Sequence, residues 1–227
     1  ATVIFEDADL SQAIPTAVRA AFRNQGQICL AGSRLLIQRS ILQQALPDII
    51  AAVEAIPIGD PLDPATRMGS LISREHVEKV MSYIELGKRE GRLLTGGERL
   101  TQPESLKQGF FIQPTVFTDL PNHSRVCQEE IFGPVLPIIP FDTEEEAVDL
   151  VNSTQYGLSA SVWSQDVNRC HRVSQDIRAG VLWINCWFAR DLRTPFGGMK
   201  ASGMGREGGR YALEFFSETK AVTYRYQ

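Results

Sequence analysis

Residues 135–141 read VLPIIPF, seven positions without a charge or a hydroxyl. A strand with one face in water alternates apolar and polar residues. An unbroken apolar run of this length reads instead as a strand buried on both faces, as in a parallel sheet covered by helices. The neighbouring segments agree with that reading. Downstream, DTEEEAVDLVNSTQYG is a helix with acids in its first turn, where the dipole favours them. A strand LSASVWS, a helix DVNRCHRVSQDIRAG ended by Gly180, and a second buried strand VLWINC (181–186) follow. Upstream, VIF reads as a strand, and Leu10, Ile14, Val18, Ala21 and Phe22 fall at helical spacing, with Asp7 or Asp9 as cap and Gly26 past the end. RLLIQ (34–38) is a short strand. SILQQALPDIIAAVEAI (40–56) is a helix expected to kink or break at Pro47. GDPLDPATRMG (59–69) reads as a loop, and Ser73 caps SREHVEKVMSYIELGKREG. RLLTGG and GFFIQPTVF read as a strand pair, and RYALEFF and KAVTYRY as a closing helix and strand. The alternation predicts an α/β fold, an open, mostly parallel sheet with helices on both faces.

The 227 residues are 43% hydrophobic and 22% charged, which fits a soluble globular chain able to bury a sizeable core. A net charge of -4 leaves no basic surplus for phosphates, so nucleic acid is not an expected partner. No apolar run approaches the ~20 residues of a membrane span, and no charged-then-apolar leader is present. The four cysteines form no C-x-x-C pair, and the three histidines stand at no zinc spacing beside them, so no metal is expected. Reduced thiols in a cytoplasmic protein are the expectation. The opening ATVIFEDADL starts directly in a strand pattern without Met, which reads as a fragment or a processed chain.

Two motifs invite chemistry. GMGREG (203–208) matches G-x-G-x-x-G letter for letter. The preceding TPFGGMKAS is loop-like rather than a strand, and Gln227 comes too soon for the acid about 20 residues later that a dinucleotide fingerprint needs. It reads as a flexible loop before a short helix. NQGQICLAGSR (24–34) sets Cys29 among small and polar residues, where a core thiol would have Leu, Ile or Val on both sides. Gly26, Ala31, Gly32 and Ser33 leave room for a substrate and for backbone N–H groups aimed at an oxyanion. Cys29 follows the C-terminal end of a helix, whose negative pole opposes thiolate formation, so activation must come from elsewhere. From these residues alone, a nucleophile and a buried structural thiol both remain open.

FRNQGQICLAGSR resembles the cysteine motif of the aldehyde dehydrogenase superfamily, with core G-Q-x-C-x-A-G-x-R. EEIFGPVLPI (129–138) and PFGGMKASGMGREGG (195–209) resemble its second and third motifs in the same order, and VIFEDADL and KAVTYRY also fit. The resemblance covers essentially the whole chain. It implies that Cys29 attacks the aldehyde carbon, with its own N–H in the oxyanion hole. A hydride then passes to NAD, with NADP not excluded, and the thioester is hydrolysed. By the same match Glu130 binds the nicotinamide ribose, Phe132 packs beside the nicotinamide, and Lys79 lies near the adenosine ribose. Without the family these read as a solvated acid, a core aromatic and a surface lysine. The family's cofactor-binding domain, base glutamate and oxyanion asparagine belong upstream of the matched residues. The resemblance therefore implies a catalytic domain over 1–212 and an oligomerisation segment over 213–227, in a dimer or tetramer.

VLWINCWFARDLRTPFGG places Trp187, Phe188, Arg190 and Arg193 just before the third motif. This segment is similar to muconic-semialdehyde dehydrogenases, in which an arginine at the position of Arg190 contacts a substrate carboxylate. The planar fork of a guanidinium suits that contact, and the alternative is an ion pair with Asp191 on a surface loop. Arg190 and Trp187 are thus the candidate substrate-binding residues, and Cys186 reads as a packed thiol. Two other classes stand beside the enzyme reading. One is a non-catalytic fragment that acts only in oligomerisation. The other is a cysteine hydrolase, which needs a histidine with an orienting partner, and neither His76 nor His123 has an evident one.

Overall fold

The computed structural model describes residues 1–101, 106–107 and 109–227. Seven strands form one sheet in the order β3-β4-β5-β2-β1-β7-β8. These are β1 (Thr2–Ile4), β2 (Leu35–Gln38), β3 (Arg92–Thr95), β4 (Thr115–Thr118), β5 (Val135–Phe141), β7 (Ser159–Trp163) and β8 (Val181–Ile184). Every pairing is parallel except β3 with β4. A separate ribbon pairs β6 (Tyr156–Gly157) with β9 (Met199–Lys200).

β5 divides as its composition requires. Val135, Ile139 and Phe141 enter one core, and Leu136 and Ile138 enter the other, so both faces of the strand are covered. Pro137 and Pro140 each lack a ladder donor. β4 pairs with Val135–Pro137 and β2 with Ile138–Phe141, so the two neighbours take different halves of the strand. The first core lies under α3 (Arg74–Glu90), α5 (Glu144–Asn152) and α6 (Val167–Asp176), and the second under α1 (Leu10–Phe22) and α2 (Arg39–Glu54).

Asp9 caps α1 by accepting from Ser11 N, whereas Asp7 holds the β7–α6 loop, accepting from Ser164 Oγ, the N–H groups of Gln165 and Asp166, and Arg169. α2 continues through Pro47 as one helix, so of the expected kink or break there is no break. Ile41, Leu42, Ala45 and Leu46 before the proline and Ile49 and Val53 after it are all buried, and this packing outweighs one lost helical bond. Ser73 caps α3 as expected. α6 stops at Asp176 rather than at Gly180, because Asn152 takes over its end: Nδ2 donates to Asp176 O and Oδ1 accepts from Arg178 N. β8 is an edge strand with Ile184 exposed, not a doubly buried one.

The closing segment also departs from expectation. Helix α7 (Gly209–Phe216) buries no residue, and KAVTYRY forms no strand. Val222, Tyr224 and Tyr226 keep the strand alternation but are exposed, and a lone strand without a sheet partner is not stable in water. No helix among the described residues is long and apolar enough to cross a membrane.

Candidate active site

Ligands of open α/β sheets usually bind beyond the carboxyl ends of the strands. Here the motif residues gather at the opposite rim. Thr2 N donates to Arg34 O at the start of β1 and β2, and Thr115 N donates to Pro134 O at the start of β4 and β5. The Cys29 loop leads into β2 and the Glu129–Gly133 segment into β5. Between them lies a cavity of about 350 Å³ lined by Cys29, Glu130 and Phe132, and also by Tyr156, Arg178 and Ser202.

The cysteine sits on a tight turn. α1 ends at Phe22, and the next turn carries Asn24, Gln25 and Gly26 at φ of 52°, 58° and 71°. Ala31 N donates to Ile28 O at 2.9 Å, which makes Cys29 and Leu30 the central residues of a β-turn, and Gly32 N returns to Ala20 O of α1. A turn of this kind does not use the N–H groups of its two central residues in its own bond. The thiol is exposed. Trp187 secures the turn from outside, its Nε1 donating to Leu30 O at 3.0 Å.

The second motif is held against one face of α3. His76 Nε2 lies 2.6 Å from Phe132 O, Lys79 Nζ donates to Glu130 O at 3.0 Å, and Tyr83 Oη donates to the Glu129 carboxylate. Arg125, in the short α4 (Arg125–Gln128), forks onto the same carboxylate at 2.7 and 2.9 Å. These donors hold the Glu129 carboxyl down at about 2, with Arg125 the largest cause and Tyr83 next. Gly133 and Gly26 are required by contact. A Cβ on Gly133 would stand 2.5 Å from Val80, and one on Gly26 would stand 2.3 Å from Gly133 O. The cysteine loop and the Glu130 segment thus meet backbone to backbone.

Arg190 and Trp187 occupy different surroundings. Trp187 is buried, so its indole supports the cysteine turn. The Arg190 guanidinium lies 4.6 Å above the Phe196 ring and lines a second cavity of about 370 Å³ with Trp183, Phe196 and Glu207. The Asp191 carboxylate is taken by Arg193, not by Arg190. A cluster of Leu30, Trp183 and Trp187, with Ile28 and Phe196 packed on it, contributes Ile28 to the first cavity and Trp183 and Phe196 to the second. It also packs Cys186.

Two motif residues that look catalytic cap a helix. Arg34 is buried and donates to Leu150 O and Val151 O, both at 2.9 Å. Lys200 donates to Asn152 O and Thr154 O at 3.1 and 2.7 Å. Together they satisfy the carbonyls at the end of α5 and oppose its negative pole. Burial lowers Arg34 to about 10, still charged at neutral pH, and burial together with Arg178 and Arg34 lowers Lys200.

Sequence reasoning weighed His76 only as the base of a hydrolase and passed over Tyr83, Arg125 and Glu129. Their only signal is that His76, Lys79 and Tyr83 share a helix face. Backbone strain marks the same regions. Among the described non-glycine residues at positive φ, Asn24, Gln25, Phe132, Asn185, Phe188 and Lys200 lie in or beside the three motifs, and Asp119 lies elsewhere. Cys127 and Cys170 are buried, and burial pushes Cys127 up to about 11. No group of three or more His, Cys, Asp or Glu among the described residues could hold a metal ion.

Comparison with known proteins gives this arrangement a context. The model of the Aldehyde dehydrogenase family matches residues 1–222. The chain is 48% identical over 227 residues to 2-aminomuconic semialdehyde dehydrogenase of Mus musculus, covering 99% of this chain and 47% of that protein. It is 46% identical over 223 residues to 2-hydroxymuconic semialdehyde dehydrogenase of Pseudomonas sp. (strain CF600), covering 98% and 46%. It therefore spans about half the length of the curated relatives it matches. Among solved structures, HpcC from Thermus thermophilus superposes with a TM-score of 0.92 at 42% identity, over 99% of this chain and 46% of that one. The indole-3-acetaldehyde dehydrogenase AldA of P. syringae, solved with NAD+ and IAA, gives 0.93 at 41% identity, over 97% and 44%.

Proposed function

The chain belongs to the aldehyde dehydrogenase family, and from that membership we propose that it forms the catalytic part of an NAD(P)-dependent dehydrogenase acting on a carboxylate-bearing semialdehyde. One observation carries this reading: Cys29 lines a single cavity with Glu130 and Phe132, which come from a distant part of the sequence. The residues suit a nicotinamide nucleotide. Glu130 offers a carboxylate for ribose hydroxyls, Phe132 offers an aromatic wall, and the exposed thiol lies on the same cavity. Lys79 acts on the cofactor through Glu130, whose carbonyl it holds.

Cys29 Sγ, as thiolate, adds to the aldehyde carbon. The oxyanion so formed is met by the N–H of Cys29 on its turn. A nicotinamide held beside Phe132 and Glu130 would supply the acceptor for the former aldehyde hydrogen as hydride. Loss of that hydride leaves a thioester on Cys29, and water cleaves it to release the acid and free the thiol. Small residues about the turn let the substrate reach the sulfur, and Trp187 keeps the turn in register.

Arg190 is the proposed reader of the substrate carboxylate. Its freedom from Asp191 supports this, since Arg193 occupies that acid. The names of the muconic semialdehyde relatives support an acidic substrate as well. Val222, Tyr224 and Tyr226 alternate like a strand that a second subunit would complete, in keeping with a homo-oligomer.

The test is NADH formation at 340 nm by the full natural protein with NAD+ and an acidic semialdehyde, beside Cys29→Ser and Arg190→Ala. The reading expects no turnover from the first variant, and from the second a loss on the acidic substrate that an uncharged aldehyde does not share. Equal losses on both aldehydes would remove the carboxylate role. Turnover by Cys29→Ser would remove the mechanism.

A further inference from the structure

We propose that His76 is a positioning residue for the nicotinamide end of the cofactor, acting through the main chain of Phe132. The inference rests on the function proposed above. Its basis is geometric. The His76 ring nitrogen Nε2 lies 2.6 Å from Phe132 O. A carbonyl only accepts, so Nε2 carries the proton and donates. That nitrogen is therefore committed to the Phe132 carbonyl.

Phe132 needs such a donor. Its φ is 58°, a left-handed conformation uncommon for a bulky residue. The segment from Glu130 to Phe132 belongs to no helix or strand. Its carbonyls have no ladder, and α3 replaces one: Lys79 serves Glu130 O and His76 serves Phe132 O, alternate carbonyls met by residues on one helix face. The two rings also stand edge to face, with centroids 6.3 Å apart and planes at 75°. Without the donor, the Phe132 peptide is free to turn toward ordinary φ. Its ring would then leave the cavity wall that it shares with Cys29 and Glu130.

A merely structural histidine would affect folding. A positioning histidine affects cofactor affinity and is replaceable by another donor of similar reach. The experiment uses the full natural protein with His76→Leu, which keeps bulk and removes the donor, and His76→Gln, which restores an N–H. NAD+ affinity is read by isothermal titration calorimetry, KM and kcat by steady-state rates, and folding by thermal melts and the rate of Cys29 alkylation. The proposal expects the NAD+ Kd and KM to rise about tenfold in the leucine variant, the scale of one lost hydrogen bond. It expects the glutamine variant within about threefold of wild type, with melts and Cys29 alkylation near wild type in both. Wild-type affinity in the leucine variant overturns it, as does a glutamine variant as weak as the leucine one. If the leucine variant fails to fold, the glutamine variant still decides the matter: wild-type affinity supports the proposal and a loss overturns it. Failure of the wild-type protein itself to bind NAD+ or NADP+ would instead overturn the functional reading beneath it.

Discussion

Replacing Gly26 with alanine tests the contact on which the site is built. The new Cβ would lie 2.3 Å from Gly133 O and 2.7 Å from Gly133 C, both backbone atoms that no rotamer change can move. A carbon meets a carbonyl oxygen comfortably at about 3.3 Å, so the two segments must part by roughly 1 Å. Gly26 also has φ of 71°, and an L-residue there adds about 1–2 kcal/mol of strain. Overpacking a tight site contributes about 1–3 kcal/mol more. The expected destabilisation is about 3 kcal/mol, measured by urea denaturation of the full natural protein. A 1 Å displacement between nucleophile and cofactor segments also costs about 10²-fold in turnover. Melts and steady-state rates should move together. A Gly26→Ala protein within about 0.5 kcal/mol and twofold of wild type would refute the view that this backbone contact sets the Cys29–Glu130 geometry.

Arg34→Met leaves Val151 O without its donor at the end of α5 and takes the charged donor from Leu150 O, which keeps only Ser153. A loss of about 3 kcal/mol, or roughly 6–12 °C in Tm, is expected by calorimetry. Iodoacetamide at pH 8 should label Cys29 first and spare Cys127, because a thiol raised to about 11 is only about 0.1% thiolate there; mass mapping of labelled peptides checks the order. The Glu129 carboxyl is lowered from 4.5 to about 2, so its anchoring is complete above pH 4.5 and is lost as pH falls toward 2. Thermal melts of wild type and Glu129→Gln should therefore differ at pH 6 and converge near pH 2.

The fold was largely legible because its signals are local. The apolar run of β5, the caps at Asp9 and Ser73, and the acids opening α5 each follow from residues a few positions apart. Misreadings came from distant contacts. The burial that carries α2 through Pro47, and Asn152 ending α6 ahead of Gly180, are set by packing that no short window contains. The candidate site divides in the same way. Cys29 stood out by its small neighbours, whereas Glu130 and Phe132 were visible only through family resemblance. Arg34 and Lys200 stand in motifs yet serve a helix end, a role that depends on α5 arriving between them.

The position of β1 bears on how the chain is made. β1 pairs with β2 and also with β7, Thr2 opposite Ser161. At a synthesis rate of about 5–20 residues per second, the edge of β1 that β7 later covers stays open for roughly 8–30 s. Val3 and Ile4 are fully buried in the finished sheet, and β7 reaches their edge only then. A nascent polypeptide with this edge open is thus a sticky one on the ribosome, and the rate at which codons between β2 and β7 are read should govern how much of it reaches the native state.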